Sequence, residues 1–233
     1  IGTDTGGSVR NPAAICGVVG LKPTLGSIPT TGVYPLAWSL DTIGPLARTV
    51  DDAWLSYTVM SGQGDTSPLD RDLQGVRIGK LGGYFRQRVD ADTLAAIDEA
   101  AEVLRGLGAE VLDLEWDDAA AARASSFIIN RLETVSVHER LLRDGPGKLD
   151  LLNPGLRLRL VAGQFIPAVA YVRAVRARRI IRDSAARFFA QHRLDAVLTP
   201  VAATTAVDVN RPVATWDDGI EEAGNAYTRL TQP

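Results

Sequence analysis

Cysteine is nearly absent from this chain, in which Cys16 is the only one among 233 residues. A single cysteine excludes an intrachain disulfide and suits a reducing compartment, so we expect a cytoplasmic protein. Because Cys16 follows Ala13, Ala14 and Ile15, its neighbours predict a small residue of the hydrophobic core.

No apolar run is long enough to span a bilayer and no leader precedes the glycine-rich opening, so we expect no membrane association.

Histidine and lysine are also scarce. The two histidines, His138 and His192, are 54 positions apart, and neither has a cysteine or second histidine at ligand spacing. We therefore expect no metal site. We expect both histidines to lie on polar helix faces. A triad of Ser8, His138 and a carboxylate stays open, because triads are assembled in space. There are three lysines against 22 arginines, and arginine cannot act as a base near neutral pH. We interpret Lys22 as a structural residue.

Charge and composition exclude several kinds of partner. The net charge of −3 gives no overall attraction to nucleic acid, and the arginine-rich stretch 168–191 is interleaved with apolar residues, which is typical of a solvated helix face. Neither a dinucleotide fingerprint nor a P-loop is completed, so the glycines at 82–83 indicate a turn and no phosphate-binding motif. With 45% hydrophobic residues, the chain has enough apolar material for a packed core.

The most informative segment present is the run of two glycines before a serine, Gly6, Gly7 and Ser8. Glycine permits backbone conformations in which successive N–H groups converge on an anion, here beside the Ser8 hydroxyl. Such donors stabilise the negative charge that develops on a carbonyl oxygen under attack, which indicates acyl-transfer chemistry. The same residues also suit an ordinary tight turn or a helix N-cap.

Two longer segments, 2–24 and 39–50, closely resemble the signature region of the amidase signature family of serine hydrolases, and 195–200 resembles a late strand of that family more weakly. The resemblance implies an α/β fold with a mixed β-sheet flanked by helices. The family's catalytic lysine, and a second serine that follows a cis peptide bond, lie upstream of the signature. We therefore expect the chain to be an internal portion of a longer amidase, with the fold present only in part.

The resemblance also assigns residues of the opening loop. It implies that Ser8 is the nucleophile of a Ser-Ser-Lys type triad. The main-chain N–H groups of Thr5, Gly6, Gly7 and Ser8 then form the oxyanion hole.

Residues around this loop receive supporting roles. Asp4 and Arg10 bracket the turn, and we expect them to brace it through charge-assisted hydrogen bonds. Tyr34 and Trp38 precede the second matching segment, and we predict that they make apolar contacts with the substrate. A position in the core or in a lid is the alternative.

The function implied is hydrolysis of a carboxylic amide to an acid and an amine or ammonia. This chemistry needs only hydroxyls, an amine base and main-chain donors, so we expect no cofactor. The alternatives are the amidase subunit of a tRNA-dependent amidotransferase, a noncatalytic amidase-like binding protein, and an ester or carbamate hydrolase. The loop 33–38 looks closer to the stand-alone amidases. We expect a small-molecule amide as the partner and leave a homodimer open.

We read the chain as one domain portion with three regions: a signature core at 1–62, a strand–helix–strand and helical region at 63–194, and a return to the core sheet at 195–233. A strand at 76–81, a helix at 92–107 and a strand at 109–114 predict parallel pairing. Further predicted elements are a short helical turn at 12–15, an irregular loop at 24–48, a helix capped by Thr49 and ending at Gly62, a polar connector at 63–75, helices at 119–143, 149–162 and 168–191, and a short buried strand at 195–198.

Overall fold

A computed structural model describes residues 1–63 and 72–232, so most of the connector predicted at 63–75 lies outside the described residues. The strands are β1 (Gly2–Asp4), β2 (Val19–Gly20), β3 (Thr42–Gly44), β4 (Leu46–Ala47), β5 (Arg77–Leu81), β6 (Glu110–Leu114), β7 (Ala196–Leu198), β8 (Val213–Trp216) and β9 (Gly219–Glu222). The α-helices are α1 (Arg10–Cys16), α2 (Val50–Ser61), α3 (Ala91–Gly106), α4 (Ala119–Val137), α5 (Glu139–Arg143), α6 (Pro146–Leu149), α7 (Pro154–Gly163), α8 (Ala168–His192) and α9 (Ala223–Thr228). The mixed α/β class predicted from the sequence is confirmed.

The predicted strand–helix–strand unit is present as β5, α3 and β6. β5 pairs in parallel with both β6 and β7, in the order β6-β5-β7, and α3 covers the crossover between β5 and β6. Gly108 follows α3 with a φ of +98°, a conformation that favours glycine, and so allows the chain to turn into β6. The strand predicted at 195–198 forms, but it is not buried, because Ala196 and Val197 are exposed.

The signature region contains two antiparallel pairs, β1 with β3 and β2 with β4. The prediction of an irregular loop over the whole of 24–48 is therefore wrong at its C-terminal end. The pairing of Thr3 with Ile43 joins residues that are far apart in sequence, and local composition carries no signal for such a partner.

Helix boundaries follow local capping chemistry. The Thr49 hydroxyl accepts a hydrogen bond from the Asp52 N–H at 3.1 Å, and Gly62 ends α2 with a φ of +70°, as predicted. The helix predicted at 149–162 is interrupted at Asn153, because the residue before a proline is disfavoured in the helical region. α1 is longer than the turn predicted at 12–15.

Two predicted environments are wrong. Cys16 is exposed, because it lies at the C-terminal end of α1, just before a left-handed Gly17. His138 is 5% exposed rather than on a polar face, and it separates α4 from α5 within the helix predicted at 119–143.

A hydrophobic cluster connects the C-terminal segment with the parallel sheet. Its buried members are Leu81, Phe85, Ala119, Ala203, Ala214, Ala226 and Leu230. α4 packs along α8. In the described part of the chain, no single helix is long and apolar enough to cross a bilayer; α7 and α8, which meet at 97°, pass that test only as a bent pair.

Candidate active site

Ser8 lies in the turn between β1 and α1, and it is exposed. The next residue, Val9, is completely buried and anchors the turn in the core. The Asn11 N–H donates a hydrogen bond of 2.7 Å to the Gly7 carbonyl and closes the turn. Rigid anchoring on both sides of an exposed hydroxyl is the arrangement that positions a reactive side chain.

The Asp4 carboxylate organises this turn from within. It is 1% exposed and accepts main-chain N–H groups from Gly7 at 2.7 Å, Val9 at 3.2 Å and Arg10 at 3.3 Å. The Arg10 guanidinium forms an ion pair with it at 2.9 Å. Burial alone would raise the pKa of Asp4, but the Arg10 side chain and the main-chain donors outweigh burial and hold this pKa below its ordinary value.

Gly7 cannot be replaced by a larger residue without rearrangement. Its φ is +127°, and a Cβ there would lie 2.3 Å from Asn11 Nδ2 and 2.5 Å from Thr231 Oγ1. Its N–H donates to Asp4, so this group is already used inside the turn. The main-chain N–H groups of Gly6 and Ser8, by contrast, make no hydrogen bond to a described residue. The oxyanion hole of Thr5, Gly6, Gly7 and Ser8 stays a prediction, in which Gly7 is the residue whose N–H donates to Asp4.

The C-terminal segment closes the loop from the far end of the chain. Arg10 Nη1 donates to the Thr231 carbonyl at 2.9 Å, and the Thr231 hydroxyl donates to the Gly6 carbonyl at 2.7 Å. Residues about 220 positions apart thus share one hydrogen-bonded layer.

Two buried carboxylates, Asp41 and Glu133, fix the neighbouring loop, and the sequence analysis assigned neither of them a role. Asp41 accepts the Thr5 hydroxyl at 2.6 Å and the N–H groups of Leu36 and Ala37 at 2.8 and 3.0 Å. Glu133 of α4 accepts the Ser39 N–H at 3.0 Å. Ser39 and Glu133 are 94 residues apart in the chain, which explains why no sequence pattern indicated this contact.

A cavity of about 160 Å³ opens beside Ser8. It is lined by Thr5, Gly6, Ser8, Leu36, Arg123, Phe127, Asn130, Arg131, Arg159, Glu222, Gly224, Asn225, Thr228 and Gln232. Three of these residues are arginines, which the sequence analysis did not single out. The sequence marks two of them, because Arg123 and Arg131 recur with Phe127 at intervals of four residues and so share one face of α4.

The predicted apolar contacts, Tyr34 and Trp38, are 71% and 53% exposed, and neither lines this cavity. Tyr34 instead packs its ring against His138, with centroids 5.6 Å apart. His138 Nδ1 lies 2.8 Å from the Thr134 carbonyl, and this histidine does not line the Ser8 cavity either. A substrate role for Tyr34 and Trp38 stays a prediction.

Lys22 does not line the cavity, although it is close enough to the turn to feel its charges. Burial and the Arg10 guanidinium lower the pKa of Lys22, while Asp4 opposes them. Its ammonium donates to the Pro23 carbonyl at 2.8 Å. Among residues 1–63 and 72–232, no group of three or more His, Cys, Asp or Glu is placed to hold a metal ion.

The fold and the site define an α/β protein that presents a serine on a glycine-rich loop beside a basic cavity. Residues 1–233 match the family model described as Amidase, so the chain belongs to the amidase family. The resemblance seen in the sequence is confirmed.

Three similar proteins are informative. An amidase of Pseudomonas putida is 36% identical over 245 residues, covering 99% of this chain and 52% of its own length. AtzE of Pseudomonas sp. (strain ADP), which belongs to 1-carboxybiuret hydrolase, is 37% identical, covering 87% of this chain and 46% of its own length. The crystal structure of a glutamyl-tRNA(Gln) amidotransferase subunit from Thermotoga maritima superposes with a TM-score of 0.74 at 26% identity, covering 99% of this chain and 51% of the solved one. The chain spans about half the length of the curated relatives it matches.

Proposed function

We propose that the protein containing this chain is a hydrolase acting on C–N bonds, and that it cleaves a carboxylic amide through Ser8. The observation that carries the proposal is the combination of an exposed Ser8 hydroxyl and two neighbouring N–H groups, of Gly6 and Ser8, without hydrogen bonds to described residues. Attack by Ser8 Oγ on the amide carbon would form a tetrahedral intermediate, whose oxyanion these donors, together with the Thr5 N–H, would stabilise.

The proton of Ser8 needs a base that works near neutral pH. A guanidinium does not act as a base near neutral pH, so the three arginines of the cavity do not fill this role. By resemblance to the family, we propose a neutral lysine that acts through a second serine, both belonging to the part of the family fold that precedes the signature. The same serine would return the proton to the leaving amine, and water would then release the acid.

The amidase subunit of a tRNA-dependent amidotransferase is the second candidate. The superposition with the Thermotoga maritima protein favours it. In that function, glutamine would be the source of ammonia, and its turnover would depend on a partner protein. Measuring ammonia release from glutamine with and without copurified partners distinguishes this candidate from an independent amidase.

The test of the nucleophile uses the complete protein. Ser8→Ala should abolish ammonia release and covalent labelling by a fluorophosphonate, whereas Ser136→Ala, on the exposed surface of α4, should leave both unchanged. Circular dichroism should show that both variants keep the fold. Retained turnover or labelling in the Ser8 variant contradicts the assignment.

A further inference from the structure

Two arginines in the Ser8 cavity have no hydrogen-bond or ion-pair partner among the described residues. Arg131, on α4, and Arg159, on α7, both line the cavity, and neither guanidinium forms a hydrogen bond or an ion pair with a described residue. The Arg131 guanidinium lies over the Phe127 ring, whose centroid is 4.7 Å from the guanidinium carbon. Two cations thus lie in one cavity, and neither forms an ion pair with a carboxylate in the described part of the chain.

The remaining charges of the cavity do not neutralise this pair. Arg123 donates to the side-chain carbonyl of Asn225, and its Nε is buried without a partner. Glu222 is the one acidic residue among the described residues that line the cavity, and its carboxylate accepts the Asn225 N–H at 3.2 Å. Three guanidinium groups therefore face one carboxylate, and the cavity is basic although the chain carries a net charge of −3.

Arg159 is exposed, but the position of Arg131 differs from that of several other arginines. Arg10, Arg86 and Arg88 each form an ion pair with an aspartate, while Arg173, Arg176 and Arg179 of α8 are exposed and solvated. Arg131 is half-buried instead, so that loss of solvent and then repulsion from Arg159 lower its pKa. A bound anion would relieve both costs, because a guanidinium pairs with a carboxylate through two parallel hydrogen bonds.

We propose that Arg131 and Arg159 bind a carboxylate of the substrate, so that the amide cleaved at Ser8 belongs to a small molecule that carries a second, anionic end. The proposal rests on the assignment of Ser8 as nucleophile. The volume of about 160 Å³ favours a short chain between the amide and the carboxylate. The Asn130 side chain, which lines the same cavity, supplies a further polar group.

The kinetic test compares two amides of similar shape on the complete protein. Succinamate carries a carboxylate where pentanamide carries an ethyl group. We expect the wild type to prefer succinamate. Arg131→Gln and Arg159→Gln should each lower kcat/KM for succinamate by about 10- to 100-fold, mostly through KM, the loss expected for one charge-assisted hydrogen-bonded contact. The loss for pentanamide should be smaller, so the preference between the two amides should fall.

Matched variants separate binding from structure. Arg179→Gln removes an exposed arginine of α8 and should leave the preference unchanged. Arg131→Lys keeps a positive charge and should retain part of the preference even if Arg131→Gln folds poorly. Equal losses for both amides in Arg131→Gln and Arg159→Gln, or a wild-type preference for pentanamide, would overturn the proposal.

A binding measurement decides the question independently of the reaction. Calorimetry should detect succinate binding to the wild type and to Ser8→Ala, with an affinity that falls as salt is added. Arg131→Gln and Arg159→Gln should each weaken this binding by about 10- to 100-fold. If Ser8→Ala retains turnover, the nucleophile assignment fails while the anion site survives; if the wild type does not bind succinate, the anion site fails while the nucleophile assignment survives.

Discussion

The Arg10 guanidinium donates two hydrogen bonds to the Asp4 carboxylate, from Nε to Oδ2 at 3.0 Å and from Nη2 to Oδ1 at 2.9 Å. Since Asp4 is buried and also accepts the Gly7 N–H, one carboxylate fixes the residues on both sides of Ser8. A charged pair of this kind is costly to break, because the remaining partner stays buried without compensation.

Asp4→Asn should therefore lower the free energy of unfolding by about 3 kcal/mol, measured by urea denaturation. Because the pKa of Asp4 is lowered in the folded state, its contribution is present above the ordinary value of 3.8 and is lost as the pH falls through the lower folded value. The exposed Asp117→Asn is the matched control and should change stability little. Equal stabilities of the two variants at pH 7 would contradict the bracing role.

Gly7→Ala tests the shape of the turn between β1 and α1 that carries Ser8. A methyl group at a φ of +127° meets both an unfavourable backbone conformation and two side chains closer than 3 Å, so we expect a loss of about 2 kcal/mol or more and a strong fall in amide turnover. Gly26→Ala is the control, because Gly26 also has a positive φ, of +81°, but a Cβ there would have no neighbour within 4 Å. If both variants lose the same stability, the contacts of Gly7 do not matter.

Asp98 provides a pH prediction away from the site. The Arg86 side chain, and after it Lys80, lower the pKa of Asp98 from 3.8 to about 2. Carboxyl chemical shifts should show Asp98 still ionised at pH 3, and Arg86→Gln should raise its pKa toward 3.8. The stabilisation is present above 3.8 and is lost as the pH falls toward 2, but it should stay below about 1 kcal/mol because Asp98 is partly exposed.

The parts of the molecule that depend on neighbouring residues could be predicted from the sequence. Thr49 and Gly62 bound α2, and apolar periodicity identified β5, α3 and β6, because caps and helical faces are local properties. The exposed Ser8 turn follows in the same way from two adjacent glycines.

The parts that depend on distant residues could not be predicted. The contact of Arg10 with Thr231 spans 221 positions, and the arginines of the cavity come from helices far from Ser8 in sequence. Cys16 was predicted wrongly for a different reason. Its neighbours in sequence are apolar, but it lies at the end of a short helix and is exposed.

Glu133 tests how α4 holds the loop that follows Tyr34. This carboxylate is 1% exposed; one oxygen accepts the Ser39 N–H and the other accepts the Tyr171 hydroxyl, each at 3.0 Å. Glu133→Gln keeps the shape and one acceptor, and should cost about 1–2 kcal/mol of stability. Glu133→Leu leaves both donors without an acceptor and should cost about 3 kcal/mol.

Urea denaturation of Glu133→Gln, Glu133→Leu, Tyr171→Phe and the double variant Glu133→Leu/Tyr171→Phe completes the test. Removing both members of the pair should cost less than the sum of the single losses, because Tyr171→Phe leaves no unpaired hydroxyl when the carboxylate is gone. Glu139→Gln, on the exposed face of α5, is the control and should leave stability within about 0.5 kcal/mol. Strictly additive losses, or a Glu133→Leu variant as stable as the wild type, would mean that this carboxylate does not hold the loop.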